Sequence, residues 1–222
     1  MHPSVQRILS YPRIQQRSPE WFEYRRRRVT ASEVSVVLAQ GKGARTLMDR
    51  KKSCSSSHFS TEYTRIGTEN EGRVVELYRE KYPNFVVHHD LSIIPHKTAD
   101  FVAASLDACT ECGINVEIKT CFKDSFVKVC KAYYDQVQLQ MEVADLDMTH
   151  LVQHYINMPG QPIVVHEIKR DRSWFAANAP ILEKFVQDLV EYFPFDLVLI
   201  NYQAAVLEEK QNMFDMSKFA GA

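Results

Sequence analysis

Residues Ile114 to Lys119 alternate strictly between apolar and polar side chains, and this alternation is the strongest constraint on the fold. Successive side chains of an extended strand point to opposite faces, so Glu117 and Lys119 share one face. The residues from Thr110 to Gly113 have the composition of a tight turn, which makes the segment before them the partner strand of a hairpin. Asp107 then lies roughly opposite Glu117, within reach of a shared ion, and a register slip of one residue would separate the two.

Two carboxylates and an amine on one sheet face have a defined chemical use. Carboxylates repel each other unless a cation lies between them, and hard oxygen ligands suit Mg²⁺, for which Mn²⁺ can substitute. A lysine beside the ion can hold an attacking water or stabilise the charge that develops on a phosphate. Asp107, Glu117 and Lys119 therefore predict phosphodiester hydrolysis. The alternative is a half-buried strand whose polar face carries an ordinary Glu–Lys pair.

A third carboxylate, Glu71, lies on the apolar stripe of a helix predicted from Glu62 to Tyr82. Its neighbours on that stripe, at helical offsets of three, four and seven, are Val74, Val75 and Tyr78. A buried acid is costly unless it is paired or bound to a metal, so Glu71 needs a partner. An ion held by the two strand carboxylates would supply one. The alternative partner is an arginine or a backbone N–H.

Four consecutive arginines, Arg25 to Arg28, precede the sequence Thr30-Ala31-Ser32-Glu33, which has the form of a capping box at a helix start. The free N–H groups and the dipole at a helix N-terminus favour anions. The arginines and Ser32 together predict a phosphate pocket. The alternative is a solvated charged face, which is the usual meaning of a charge run.

The order of the predicted elements indicates the fold class. Helices are predicted to begin at Ser18-Pro19-Glu20 and at Thr30, the second ending near Gly41. The further helices are 62–82, 132–144, 174–192 and 196–207, the strands are 85–89, 98–109, 114–120, 149–157 and 163–168, and residues 53–57 form an exposed loop. This order predicts an α/β (α+β) domain with a mixed β-sheet flanked by helices.

Length and composition indicate one ordinary globular domain. A chain of 222 residues with 45% hydrophobic and 25% charged residues can bury a sizeable core. We expect a single domain over residues 1–222, with a core at about 18–170 and C-terminal helices at 171–222. A net charge of −1 gives no bulk signal for a polyanionic partner, so local patches must carry that interpretation.

Targeting signals and cysteines indicate a compartment. No apolar run approaches the roughly 18 residues of a membrane helix, and the first residues lack the apolar stretch of a secretory signal. We expect a soluble, intracellular protein without a membrane partner, in a cytoplasm or nucleus that the sequence does not distinguish. The five cysteines are expected to be reduced thiols. A zinc site at Cys109 and Cys112 is the alternative, with further ligands from His88, His89 or His96.

Four segments have an order and spacing that are specific in combination. They are Trp21-x-x-x-Arg25 with Thr30-Ala31-Ser32-Glu33, Gly67-x-x-x-Glu71, Ser105-x-Asp107-x₉-Glu117-Ile118-Lys119, and Gln136-Val137-Gln138. Together they resemble the YqaJ-like, or lambda exonuclease-like, family of viral recombination nucleases in the PD-(D/E)XK nuclease superfamily. The resemblance runs from about Trp21 to Gln140. One departure is that the proline which often precedes the metal-binding aspartate is Leu106 here.

The resemblance implies a restriction-endonuclease-like core and a role for each matched residue. Metal ligands would be Glu71, Asp107, Glu117 and the Ile118 carbonyl, with Lys119 positioning or activating the water and Gln136 orienting the site. The pocket for a terminal 5′ phosphate would comprise Arg25, Ser32 and Ser105, with Lys42 as a further member. The family also implies Mg²⁺, duplex DNA ends, a ring-shaped homotrimer and a partner that anneals single strands.

The expected function is therefore a metal-dependent 5′-to-3′ exonuclease that digests double-stranded DNA from 5′-phosphorylated ends, in DNA recombination, repair or viral DNA processing. Two alternatives stay open. One is a structure-specific DNA endonuclease of the same fold, and the other is a DNA-binding module without catalytic activity.

Overall fold

The structure is a computed structural model that describes residues 1–53 and 62–191. Its helices are α1 (Pro3–Ser10), α2 (Pro19–Arg26), α3 (Val34–Leu38), α4 (Lys42–Lys52), α5 (Glu62–Lys81), α6 (Lys131–Ala144) and α7 (Trp174–Val190), with a 3-10 turn at Ala31–Glu33. Its strands are β1 (Val29–Thr30), β2 (Val87–His89), β3 (Ile94–Pro95), β4 (Val102–Ala104), β5 (Ala108–Thr110), β6 (Ile114–Cys121), β7 (Met148–Tyr155) and β8 (Ile163–Lys169). The predicted helix 196–207 and most of the predicted loop 53–57 lie outside the described residues.

The described strands form two mixed sheets. The larger sheet has the order β2-β5-β6-β7-β8, in which β6 and β7 are parallel and every other neighbouring pair is antiparallel. The smaller sheet has the order β1-β4-β3, with β1 parallel to β4. The fold is thus mixed α+β with helices against the sheets, as the element order predicts.

Helices pack on both faces of the larger sheet. Val74, Val75 and Tyr78 of α5 cover one face, where they contact Val116 and Ile118 of β6. On the other face, apolar residues of α6 contact β7; these are Val137 and Met141, packed against Leu151. A third and larger apolar cluster joins α1, α3, α4, α6 and α7 to the smaller sheet. The strand β6 is therefore buried between α5 and α6, and the alternation of its side chains decides which helix each one meets.

Local signals explain where several helices begin. The Ser18 side chain accepts a hydrogen bond from the backbone N–H of Trp21, and Pro19 occupies the first position of α2. The capping box at Thr30 and Glu33 is also present, although it opens a 3-10 turn that leads into the short α3. The helix predicted from residue 62 is confirmed as α5, which ends two residues before Pro83.

The prediction of one continuous strand at 98–109 is wrong. The chain forms β4 in the smaller sheet, leaves the ladder at Ser105 to Asp107, and enters the larger sheet as β5. The side chains of β4 are buried on both faces, so its sequence carries no alternation that would mark the crossing. The helices α1 and α4 and the two-residue strands β1 and β3 were not expected from the sequence.

Residues Met1–Leu189 form one compact unit. No helix among the described residues combines the length and the apolar character that crossing a membrane requires.

Candidate active site

The hairpin of β5 and β6 places Asp107 and Glu117 at facing positions. Ala108 pairs with Val116 and Cys109 with Asn115, and continuing this register by one residue sets Asp107 opposite Glu117. The Asp107 carboxylate accepts a hydrogen bond of 2.7 Å from the Ile118 backbone N–H. This bond replaces the next rung of the ladder, so the aspartate is fixed against β6 at the point where β5 has not yet begun.

Glu117 is the most constrained carboxylate of the site. One of its oxygens, Oε1, accepts hydrogen bonds from Lys119 Nζ and from Gln136 Nε2, each at 2.5 Å. The other, Oε2, accepts one from Gln140 Nε2, also at 2.5 Å. Lys119 Nζ donates in addition to Gln136 Oε1 at 3.0 Å and lies 5.1 Å from the centre of the Tyr133 ring. The polar face of β6 is thereby joined to the polar face of α6.

Glu71 approaches the same centre from α5. The residue before it, Asn70, donates to Thr120 Oγ1 at 2.9 Å, and its amide nitrogen lies 2.7 Å from His154 Nδ1. These contacts fix this turn of α5 against the second half of β6, which β5 does not cover. Glu71 is half-buried there.

The electrostatics show that the three carboxylates act on one another. Burial and the Glu117 carboxylate raise the pKa of Glu71 to about 7. Burial and the carboxylates of Glu117 and Glu71 raise the pKa of Asp107 well above its ordinary value. Burial disfavours the charged form of Lys119, but the carboxylates of Glu117 and Asp107 outweigh it and raise the pKa of the amine. One ammonium group thus compensates only part of the negative charge that full ionisation would gather here.

The carboxylates do not form a ready cage for a cation. Within residues 1–53 and 62–191, no three side chains of His, Cys, Asp or Glu converge closely enough to hold a metal ion. The same holds around Cys109 and Cys112, whose thiols are free. At the centre itself, Lys119 and Gln136 occupy the Glu117 oxygen that faces them.

A second polar cluster lies around Arg25. Its guanidinium stacks on the Trp21 ring at 4.4 Å and donates to Ser32 Oγ at 3.1 Å. The same group is 3.6 Å from a carboxylate oxygen of Glu33. The predicted neighbours Arg25 and Ser32 are thus in direct contact, and Arg25 is held on three sides.

The base of this cluster is a buried ion pair. Lys51, 5% exposed, contacts Glu33 Oε2 at 2.9 Å and donates to the backbone carbonyls of Arg25 and Arg28. Burial alone would raise the pKa of Glu33, but Lys51 and Arg25 outweigh it and bring the pKa down to about 2. Because Glu33 stays ionised, the arginine and the lysine remain fixed beside Ser32.

Ser105 and Lys42 are both related to Ser32, the first through strand register and the second through a shared cavity. Thr30 pairs with Ala103 in parallel strands, so Ser32 and Ser105 occupy equivalent positions just beyond the ends of β1 and β4. The Ser105 hydroxyl is buried and has no hydrogen-bond partner among the described residues. Lys42 is exposed and lines a cavity of about 510 Å³ together with Ser32, Thr46 and Arg50. The Ser105 hydroxyl could still bond a polar ligand, and the cavity carries the basic side chains of Lys42 and Arg50 together with the carboxylate of Glu33.

The structure therefore brings the sequence-predicted residues into two neighbouring groups. Asp107, Glu117, Lys119 and Gln136 are linked through β6 and its partners, with Glu71 within electrostatic range. Other contacts were not expected from the sequence, namely those of Asn70, Gln140, Tyr133, Lys51 and Arg50. An amide or lysine on an amphipathic helix carries no mark of its tertiary partner. Of the amides on α6, only Gln136 was expected at this centre, through the family resemblance.

The solved structures that resemble this fold include exonucleases. The alkaline exonuclease LHK-Exo from Laribacter hongkongensis superimposes with a TM-score of 0.69 at 21% identity, over 86% of this chain and 100% of that chain. The same exonuclease in complex with dAMP gives a TM-score of 0.68, again at 21% identity and with the same coverage. A phage-related exonuclease from Haemophilus somnus 129PT gives 0.51 at 15% identity, over 82% of this chain and 96% of that chain. The comparison shows that this chain has the fold of these exonucleases.

The family is settled by the sequence itself. Residues 20–147 match the model of the YqaJ-like viral recombinase domain, and the chain belongs to that family. This confirms the resemblance to lambda exonuclease-like proteins and is consistent with the PD-(D/E)XK nuclease superfamily. A comparison with curated proteins finds no match.

Proposed function

We propose that this chain is a Mg²⁺-dependent exonuclease that hydrolyses double-stranded DNA from 5′-phosphorylated ends in the 5′-to-3′ direction, during DNA recombination, repair or viral DNA processing. The observation that carries the proposal is the centre on β6. Asp107 and Glu117 face each other across a hairpin, Lys119 contacts Glu117, and Glu71 is close enough for its pKa to respond to Glu117. This arrangement suits a cation and a phosphate better than it suits a structural ion pair.

The donor set fits a hard divalent cation. Asp107, Glu117, Glu71 and the Ile118 carbonyl would hold Mg²⁺, or Mn²⁺ in its place, through oxygen atoms alone. Burial first, and the neighbouring carboxylates second, raise the pKa values of Asp107 and Glu71, and a bound cation would act against both effects. Bound there, divalent ions would polarise the scissile phosphate and lower the pKa of a water molecule. To bind at Glu117 Oε1, an ion would take the place of the contacts that Lys119 and Gln136 make there.

The chain's own groups would do the remaining work. Lys119, released from Glu117, would hold the attacking water or the developing phosphate charge, and the Gln136 amide would orient that lysine. Arg25, Ser32 and Ser105 would bind the terminal 5′ phosphate, with Lys42, which lines the same cavity as Ser32, as a further member. The buried Ser105 hydroxyl supports this assignment, because it needs an acceptor or a donor that the described residues do not provide.

We also propose the assembly that the family resemblance implies, a homotrimer that encircles DNA, with a single-strand annealing protein as partner. A net charge near zero is compatible with a ring whose basic groups line the channel.

The test uses three duplex substrates of one sequence, each with and without Mg²⁺. They are a linear duplex with 5′ phosphates, the same duplex with 5′ hydroxyls, and a covalently closed circle. We expect Mg²⁺-dependent release of nucleotides from the first, slower release from the second and none from the circle. Cutting of the circle would favour the endonuclease alternative and overturn the exonuclease proposal.

The DNA-binding alternative is tested by Lys119→Ala. If the chain is an enzyme, this variant loses cleavage while it still binds duplex ends. Equal cleavage by the variant and the parent would show that the assignment of Lys119 is wrong.

A further inference from the structure

Gln140 joins the two polar groups of the structure through a single atom. Its Nε2 donates to Glu117 Oε2 at 2.5 Å and to the backbone carbonyl of Ser105 at 3.1 Å. The side chain lies on α6 and is 1% exposed, so no water competes for these bonds. An amide nitrogen carries two hydrogens, and both are used here.

The orientation of this amide is fixed from its other end. Asn115 Nδ2 donates to Gln140 Oε1 at 3.0 Å and to Thr149 Oγ1 at the same distance. The amide of Gln140 could not turn over without losing that bond and presenting its oxygen to the Glu117 carboxylate. The chain of contacts from Thr149 through Asn115 therefore points both hydrogens of Gln140 at Glu117 and Ser105.

The two acceptors belong to different parts of the proposed site. Glu117 is a central carboxylate on β6. Ser105 follows β4, contributes its hydroxyl to the proposed phosphate pocket and stands two residues before Asp107. A proline at position 106 would stiffen this segment, but the residue there is Leu106, and the bond from Gln140 to the Ser105 carbonyl restrains it instead.

We propose that Gln140 is a positioning residue that holds Glu117 and the Ser105 segment in one arrangement, so that a terminal phosphate bound at Ser105 and the cutting centre at Glu117 are placed as one unit. The inference rests on the proposed function and deepens it. It predicts that phosphate recognition contributes to the rate of cleavage and not only to binding, and that this contribution passes through Gln140.

The expected effect of losing the Gln140 hydrogen bonds follows from residues that bond metal-binding groups in other proteins. Loss of such a residue typically costs about 10–100-fold in metal affinity or activity. Gln140→Met keeps the length, the volume and the helix propensity of the side chain but removes both donors. A matched control lies two residues away on the same helix. Gln138, also on α6 and 1% exposed, bonds the Lys169 carbonyl and the Asp171 N–H, outside both groups.

The experiment compares the parent with Q140M and Q138M in three measurements. They are kcat and KM on 5′-phosphorylated ends, the ratio of cleavage rates for phosphorylated and hydroxyl ends, and Mn²⁺ affinity by calorimetry without DNA. We expect Q140M to lower kcat by about 10–100-fold with little change in KM, to weaken Mn²⁺ binding and to bring the rate ratio towards one. Q138M should leave all three measurements near the parent, although it too loses buried hydrogen bonds, two against the three of Q140M.

The outcomes separate the two proposals. If Q140M and Q138M change alike and in step with a loss of thermal stability, Gln140 is only structural and the inference is wrong. If the parent shows no metal-dependent cleavage, the proposed function fails, and the Mn²⁺ affinity of Q140M against Q138M still decides the placement of Glu117. Should Q140M not fold, Asn115→Ser releases the amide from its fixed orientation and is expected to lower the rate ratio in the same direction.

Discussion

Asp107 is a residue whose charge costs stability in the free protein. Its pKa is raised well above the ordinary value because it is buried beside Glu117 and Glu71, so its ionised form is less favourable folded than unfolded. The carboxylate is nevertheless kept in place by the Ile118 N–H. A group held at such a cost is typical of a functional site rather than of a stabilising one.

Asp107→Asn is therefore expected to separate activity from stability. The asparagine oxygen can still accept from Ile118, while one negative charge leaves the cluster. We expect cleavage to fall by at least about a thousandfold, with a melting temperature in the absence of Mg²⁺ equal to or above that of the parent. Asp147→Asn, which removes a carboxylate from an exposed ion pair, is the control for both measurements. If Asp107→Asn does not fold, the result would instead favour the alternative in which Glu117 and Lys119 of β6 form an ordinary structural pair.

Arg25→Ala is expected to weaken the preference for phosphorylated ends. The loss of a charge-assisted contact to phosphate corresponds to about 1.5–3 kcal/mol, or roughly 10–100-fold in the rate ratio of phosphorylated to hydroxyl ends. Arg28→Ala is the matched control, since Arg28 belongs to the same run and stacks on Tyr24 at 4.1 Å as Arg25 stacks on Trp21. Equal effects of the two substitutions would remove the pocket from the proposal.

At the scale of elements, the ion pair between Lys51 and Glu33 joins α4 to the 3-10 turn after β1. The pKa of Glu33 is about 2 in the folded chain against an ordinary value of 4.5. A lowered folded pKa means that the contribution of the carboxylate is complete above about pH 5 and is lost as the pH falls through 4.5 towards 2. The junction between these elements should therefore be sensitive to acid.

Unfolding by urea at pH 6 and pH 3 tests this junction. The free energy of unfolding of the parent should exceed that of Glu33→Gln by on the order of 3 kcal/mol at pH 6. This difference should shrink by about 2 kcal/mol at pH 3. Glu69→Gln alters an exposed ion pair with Arg65, and its free energy of unfolding should stay close to that of the parent at both pH values. A constant difference between parent and Glu33→Gln at the two pH values would contradict the lowered pKa.

The elements that could be predicted from the sequence are those whose pattern repeats over a long stretch. The alternation of 114–119 and the stripe of α5 each contain enough positions to fix a period, and both led to the correct face for Glu117 and Glu71. The crossing between β4 and β5 could not be predicted, because the deciding bond joins Asp107 to a backbone group eleven residues away. Gln140 and Lys51 were missed for a similar reason, since their partners lie on other elements.

At the scale of the whole molecule, metal binding should appear as stability. An ion that binds only the folded chain adds about 2.7 kcal/mol at a concentration of 100 times its Kd. For a chain of this length each kcal/mol corresponds to about 2–4 °C in melting temperature. We therefore expect saturating Mn²⁺ to raise the melting temperature by roughly 5–10 °C, and a chelator to reverse it. Asp107→Asn should respond little, and a full response by that variant would place the ion elsewhere.

The proposed trimer is tested by mass in solution. Light scattering after size-exclusion chromatography should give three times the 25.7 kDa of one chain. A monomeric mass that persists at high concentration would contradict the ring. It would leave the chemistry of the centre on β6 untouched.

The position of β6 has a consequence for the local unfolding of the protein. It is flanked by β5 and β7 and covered by α5 and α6, so its pairing with β7 cannot be exposed without disrupting several elements at once. Its amide protons should consequently exchange with solvent deuterium only through the rarest openings, whereas the edge strand β8 exchanges sooner. The half of the cutting centre that β6 carries would then retain its shape during partial openings that disturb the periphery.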